Sequence, residues 1–155
     1  GGLLDFDTFD TRIVDALAIA KVSGMDVEFI ESDEDTDHPN TARIHMSDDN
    51  GSVEVVGISI GGGTIEITEI NGFTLKMSGN HPALFVVHED RFGMIAAVAN
   101  VLSKYEINIC QMEVSRKTKG FQALMAIETD QKLSQQIVGE LNQLPHIISV
   151  AMLNL

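Results

Sequence analysis

A single cysteine, Cys110, stands among 155 residues. That count excludes an internal disulfide, and it excludes any metal cluster needing three or four thiolates from this chain alone. With no disulfide to form, a reducing cytoplasm is the expected compartment. Basic side chains are also scarce: 10 Lys and Arg stand against 23 Asp and Glu, a net charge of −13. The deficit is uneven, with 16 acidic and 4 basic residues in positions 1–80 and 7 and 6 in positions 81–155. Such a surface repels nucleic-acid phosphate and anionic lipid, so neither nucleic acid nor membrane is expected as a partner. No apolar run approaches the roughly 20 residues of a membrane span, and no signal-peptide pattern opens the sequence. Five histidines (His38, His45, His81, His88 and His146) show no close ligand spacing, so no metal site is expected. The acidic run at 32–37 lacks the glycine and terminal glutamate of a calcium loop and reads as solvated. There is no internal repeat and no dinucleotide fingerprint.

What is present is globular: hydrophobic residues make up 44% and the mean hydropathy is +0.10. The length suits one or two small domains. The clearest stretch is ALFVVHEDRFGMIAAVANVLSKYEIN, residues 83–108. Ala83 to Val87 is a short apolar run, as expected of a strand covered on both faces. From Gly93 the period changes, and Ile95, Val98, Ala99 and Leu102 form a helical stripe. Ile107 to Lys117 alternates, with Cys110, Met112 and Val114 predicted on the buried face, which makes Cys110 a core thiol. Ala123 to Ile127 is another buried strand. Leu133, Ile137 and Leu141 mark a second helix, and Ile147 to Leu155 is a last strand. The order is βαββαβ, the ferredoxin-like split motif.

In the first half, Asp10 is a candidate N-cap for a helix carrying Ile13, Ala16, Leu17 and Ala20 and ending at Gly24. Val27 to Glu31 reads as a short strand. Ala42 to Ser47 and Val53 to Ile60 flank Asp49-Asn50-Gly51, a hairpin signal. The triplet Gly61-Gly62-Gly63 precedes a strand, Thr64 to Ile70, rather than the helix and Lys-Ser/Thr pair of a phosphate loop. It therefore reads as a bend or a place of close backbone approach. Asn71-Gly72 is a second hairpin turn before Phe73 to Met77, and residues 79–82 form a linker. The fold class is α+β, with a first domain at 1–79 (mostly strands, one helix) and a second at 81–155.

The D-x-x-G turn at Asp90 to Gly93 and the later Asn108-Ile109 pair make residues 81–155 resemble an ACT domain, a small regulatory module that commonly binds amino acids. A free amino acid needs N–H groups for its carboxylate, which a helix start near Phe92 to Met94 supplies. Its ammonium needs an acceptor, available at Asp90 or Asn108. In the serine-binding ACT domains the matching positions fall on His88, Asp90, Gly93 and Asn108, with Asp90 in place of an asparagine. His88, Asp90, Gly93, Met94 and Asn108 are thus the expected ligand-binding set. Self-association through the edge strand of this domain, as a homodimer, is expected with it.

The segments GGLLDFDTFDTRI, HPNTARI, GISIGGGTIEITEING and SGNHP, followed by an ACT domain, resemble the β chain of the two-chain iron–sulfur L-serine dehydratases. The resemblance implies a partial allosteric substrate-binding domain ahead of the ACT domain. It also implies a lyase subunit that deaminates L-serine to pyruvate and ammonia with an α chain, in which the α chain binds the [4Fe–4S] cluster. This chain alone would bind no cofactor, contain no catalytic residue and be inactive. His38, Asn40, Thr41, Gly61, Gly62 and Gly63 would line a pocket or subunit interface in the first domain. The sequence starts without Met and beyond the family's serine-rich motif, so a fragment of a longer polypeptide is expected. The alternatives are the C-terminal regulatory region of a D-3-phosphoglycerate dehydrogenase and a stand-alone amino-acid sensor.

Overall fold

The computed structural model describes residues 1–154. Two compact units divide after Asp35. In the first, the Asp10 carboxylate accepts from the Arg12 backbone N–H at 2.8 Å and caps a 3₁₀ turn, Thr11–Asp15. The turn runs into helix α1, Ala16–Val22. The Arg12 guanidinium pairs with Asp10 and holds its carboxyl down to about 2. Only Ala16 and Ala20 of the expected stripe are buried; Ile13 and Leu17 are exposed. The strand expected at Val27 to Glu31 does not form, because residues 25–36 meet no neighbouring strand to complete a ladder.

The second unit contains two antiparallel four-stranded sheets. Strands β1 (Thr41–Asp48), β2 (Gly51–Gly61), β3 (Thr64–Ile70) and β4 (Phe73–Met77) make a meander in chain order. The β3–β4 turn uses the expected Asn71 and Gly72, both with positive φ, and Gly61, Gly62 and Gly63 also have positive φ; the β1–β2 turn is Asp49-Asn50, with Gly51 already in β2. No described atom lies within 4 Å of a Cβ built on any of the three triplet glycines, so they serve the bend and not a close approach.

Strand β5 (Ala83–Glu89), helix α2 (Met94–Lys104), β6 (Ile109–Arg116), β7 (Gln122–Thr129), α3 (Gln135–Asn142) and β8 (Ile147–Leu153) follow in the predicted βαββαβ order. The sheet order is β6-β7-β5-β8, which leaves β6 at an edge. Leu84, Val86, Met125 and Ile127 pack on the helices through Val98, Leu102, Ile137 and Leu141. The alternate residues Ala83, Leu124 and Ala126 meet Phe73, Leu75 and Met77 of β4. The unit is therefore layered as helices, sheet and meander, and both faces of β5 and β7 are dry, which explains their unbroken apolar runs.

The stripe of α2 is rotated from the expected one. Met94, Val98, Val101 and Leu102 are buried, whereas Ile95 is 51% exposed. Cys110 also departs from expectation. The β6–β7 register slips between Ile109 and Gln111, leaving Cys110 as a bulged residue with no partner. Ile109 and Met112 turn inward and the thiol is exposed.

No helix among the described residues is long and apolar enough to cross a membrane.

Candidate functional site

The candidate ligand site lies where β5 ends and α2 begins. Gly93 occupies the N-cap position with φ 84°, in the left-handed region that a side chain disfavours. Among the described residues no side chain caps α2. Its first N–H groups, from Met94 onward, thus lack intrahelical partners and point out of the helix start. No described atom lies within 4 Å of a Cβ built on Gly93, so the approach to those groups is open. The Met94 side chain is buried in the core, so only its backbone can serve a ligand.

His88 precedes this turn on the helix-facing side of β5, in line with Leu84 and Val86. It is 2% exposed. Nδ1 sits 2.6 Å from the carbonyl oxygen of Glu89, a contact that requires the proton on Nδ1. In the neutral ring Nε2 is then an acceptor. It is buried and has no hydrogen-bond partner among the described residues. A buried acceptor without a donor is costly to retain, and an ammonium group would satisfy it.

Asp90 plays another part. Its Oδ2 accepts from the Gly120 backbone N–H at 2.8 Å and from Arg116 Nη1 at 3.1 Å. The Gly120 N–H, and after it Arg116, hold the carboxyl below the ordinary carboxylate value. Asp90 thus neither caps α2 nor stands free for an ammonium. It fastens the β6–β7 turn to the end of β5.

Asn108 lies elsewhere. Its carbonyl accepts from Asp130 N, and its Nδ2 donates to Asp130 Oδ2 at 2.6 Å. The register pairs Ala83 with Glu128 and Glu89 with Gln122, so Asn108 shares the Ala83 end of the sheet and Gly93 the other. At about 3.3 Å per residue those ends are roughly 20 Å apart. One chain therefore brings His88, Asp90, Gly93 and Met94 together, and leaves Asn108 at the far end.

A cleft of about 640 Å³ lies near the turn and is lined by Phe73, Glu89, Arg91, Lys117, Phe121 and Ile148, among others. None of the expected ligand-binding residues lines it. Arg91 Nε and His146 Nδ1 both meet Glu89 Oε2, at 3.0 and 2.9 Å. Lys117 Nζ stands 4.8 Å from the Phe73 ring centroid.

In the meander, Asn40 O accepts from Ser59 N, which sets residues 38–41 beside the end of β2 that carries Gly61 to Gly63. The loop closes on itself: Asn40 N donates to His38 Nδ1 at 3.2 Å, and Thr41 Oγ1 donates to His38 O. His38, Asn40, Thr41 and the three glycines therefore share one end of this sheet, with their hydrogen bonds spent locally.

Sequence reasoning missed the grip of β6 on β4. Glu113 accepts from Lys76 N at 2.7 Å and Gln111 Nε2 donates to Lys76 O at 2.6 Å. Spacing carries no signal of such a contact.

The ACT-domain profile matches residues 83–146. The protein described as "Probable L-serine dehydratase, beta chain" of Bacillus subtilis strain 168 is 59% identical over 150 residues, 97% of this chain and 68% of that protein. The L-serine dehydratase beta chain of Peptoniphilus asaccharolyticus is 30% identical over 88% of this chain and 63% of its own length. The D-3-phosphoglycerate dehydrogenase of Bacillus subtilis strain 168 is 31% identical over 92% of this chain but 27% of that enzyme.

Proposed function

We propose that this chain, which belongs to the family of L-serine dehydratase beta chains, works with an α chain to deaminate L-serine to pyruvate and ammonia. The observation that carries this reading is 59% identity sustained over 97% of the chain. The similarity to a phosphoglycerate dehydrogenase is weaker at 31% and touches 27% of that enzyme, so it supports a shared regulatory region rather than a dehydrogenase.

A [4Fe–4S] cluster does not fit the residues of this chain. Cys110 is its one thiol and such clusters take three or four thiolate ligands. The cluster in this reading belongs to the α chain, and the chain alone is inactive. Pyruvate formation from L-serine, assayed anaerobically after iron reconstitution, tests this. The expected result is no turnover by the chain by itself. Turnover without an α chain overturns it.

The ACT domain in this reading binds a small amino acid, L-serine among the first to try. Three groups support it: the uncapped start of α2, the open approach over Gly93, and the unsatisfied Nε2 of His88. Pairing of two β6 edges about a two-fold axis would carry Asn108 of one copy toward the Gly93 turn of the other, which makes the site intermolecular. Sedimentation at ~100 µM, well above a micromolar dissociation constant, should show a dimer, and a monomer there would sink the pairing.

A further inference from the structure

Three donor atoms from separate parts of the chain converge at the Ala83 end of the second sheet. They are a ring nitrogen of His81, the thiol of Cys110 and a carboxylate oxygen of Asp130, all within 4.8 Å of one another. Each is put there by backbone geometry. The bulge in β6 turns Cys110 out of the core. Thr129 N donates to Pro82 O at 2.9 Å, which ties the residue after His81 to the end of β7. Asp130 N donates to Asn108 O, and Asn108 Nδ2 returns a bond to Asp130 Oδ2 at 2.6 Å. That second bond orients the carboxylate from behind, as outer partners of metal ligands do.

We propose that His81, Cys110 and Asp130 form a binding site for a thiophilic divalent cation of the zinc class. Thiolate, imidazole and carboxylate together are a borderline-soft donor set that suits zinc and not magnesium or calcium. Bonds of about 2.0–2.3 Å in a tetrahedron place ligand atoms about 3.3–3.8 Å apart. Side-chain rotation of His81 and Cys110, both exposed, closes the remaining gap to the held carboxylate of Asp130. The thiol loses its proton to solvent as the sulfur–metal bond forms, and water completes the fourth position. The expectation of no metal site rested on local spacing, which cannot see residues drawn from a linker, a bulge and a strand end. The bound ion would fasten the linker that follows β4 to both β6 and β7. None of its three ligands belongs to the proposed amino-acid site, although Asn108, which holds the Asp130 carboxylate, does.

Cobalt(II) and zinc(II), added to the reduced chain without L-serine, test the site. Cobalt should give sulfur-to-metal charge-transfer absorption in the near ultraviolet, titrating to one equivalent and displaced by zinc. Zinc should slow the reaction of Cys110 with a disulfide reagent, because the attacking thiolate is then held by the metal. Cys110→Ser should abolish the absorption, and His81→Ala should weaken cobalt binding by at least about tenfold, the loss that removal of a mere supporting partner already causes. Both positions are exposed, so circular dichroism should show the variants folded. No charge-transfer absorption in the unmodified chain, or equal zinc binding by Cys110→Ser, overturns the proposal.

Discussion

The carboxylate of Glu113 accepts a hydrogen bond from the backbone N–H of Lys76 at 2.7 Å. Gln111, two residues earlier on the same strand, donates to the carbonyl of that residue. One residue of the meander is thus gripped at both its N–H and its C=O by the edge strand of the second sheet. Glu113→Ala should destabilise the second unit by about 1 kcal/mol, the usual worth of a partly solvated hydrogen bond to a charged group. Urea unfolding measures it. A double-mutant cycle with Gln111→Ala should show coupling, since both act on Lys76. Additive effects would mean that the two contacts are independent.

His88→Leu separates binding from folding. It removes the unsatisfied buried Nε2 and keeps an apolar body of similar size. Thermal stability should change by no more than about 1 kcal/mol, since loss of the Nδ1–Glu89 bond is offset by removal of the unsatisfied Nε2. Binding of L-serine, by calorimetry, should fall at least about tenfold, equivalent to about 1.4 kcal/mol. Undiminished binding would exclude Nε2 as an ammonium acceptor.

Gly93→Val should impair the same site by another route. At φ 84° a branched residue is strained, by an amount of the order of 1–3 kcal/mol. Its side chain would also occupy the open space over the first N–H groups of α2. The midpoint of unfolding should drop and calorimetric heat should vanish together. Gly93→Ala should keep part of the binding.

Asp90 predicts an acid-side effect. Its folded carboxyl lies below the ordinary 3.8, chiefly through the Gly120 N–H and then Arg116. A carboxyl depressed in the folded state lends stability that is present above its unfolded value and lost as pH falls through the folded one. Hydrogen exchange of residues 117–121 should therefore quicken as pH drops below about 4, beyond the intrinsic change of exchange rate with pH. Asp90→Asn should show fast exchange at neutral pH and lose that extra acid dependence.

Much of the second unit was legible because its information is local. Asn71-Gly72 demanded two positive φ values, and the strands on either side, Thr64 to Ile70 and Phe73 to Met77, formed where alternation placed them. The apolar runs at Ala83 and Ala123 announced strands buried on both faces, and the two helices, one after each run, announced the split motif. Propensity, period and turn chemistry depend on near neighbours in the chain, so they survive without a partner surface. The tertiary structure decided everything that depended on a partner. Val27 to Glu31 found no strand to pair with and stayed irregular. Asp90, free for a ligand by its spacing, is held by Gly120 and Arg116 from a distant turn. Asn108 belongs to the far end of the sheet because β6 starts where α2 ends. Cys110, alternating inward on paper, is the extra residue of a bulge in β6, so it faces solvent while Ile109 before it and Met112 after it turn inward.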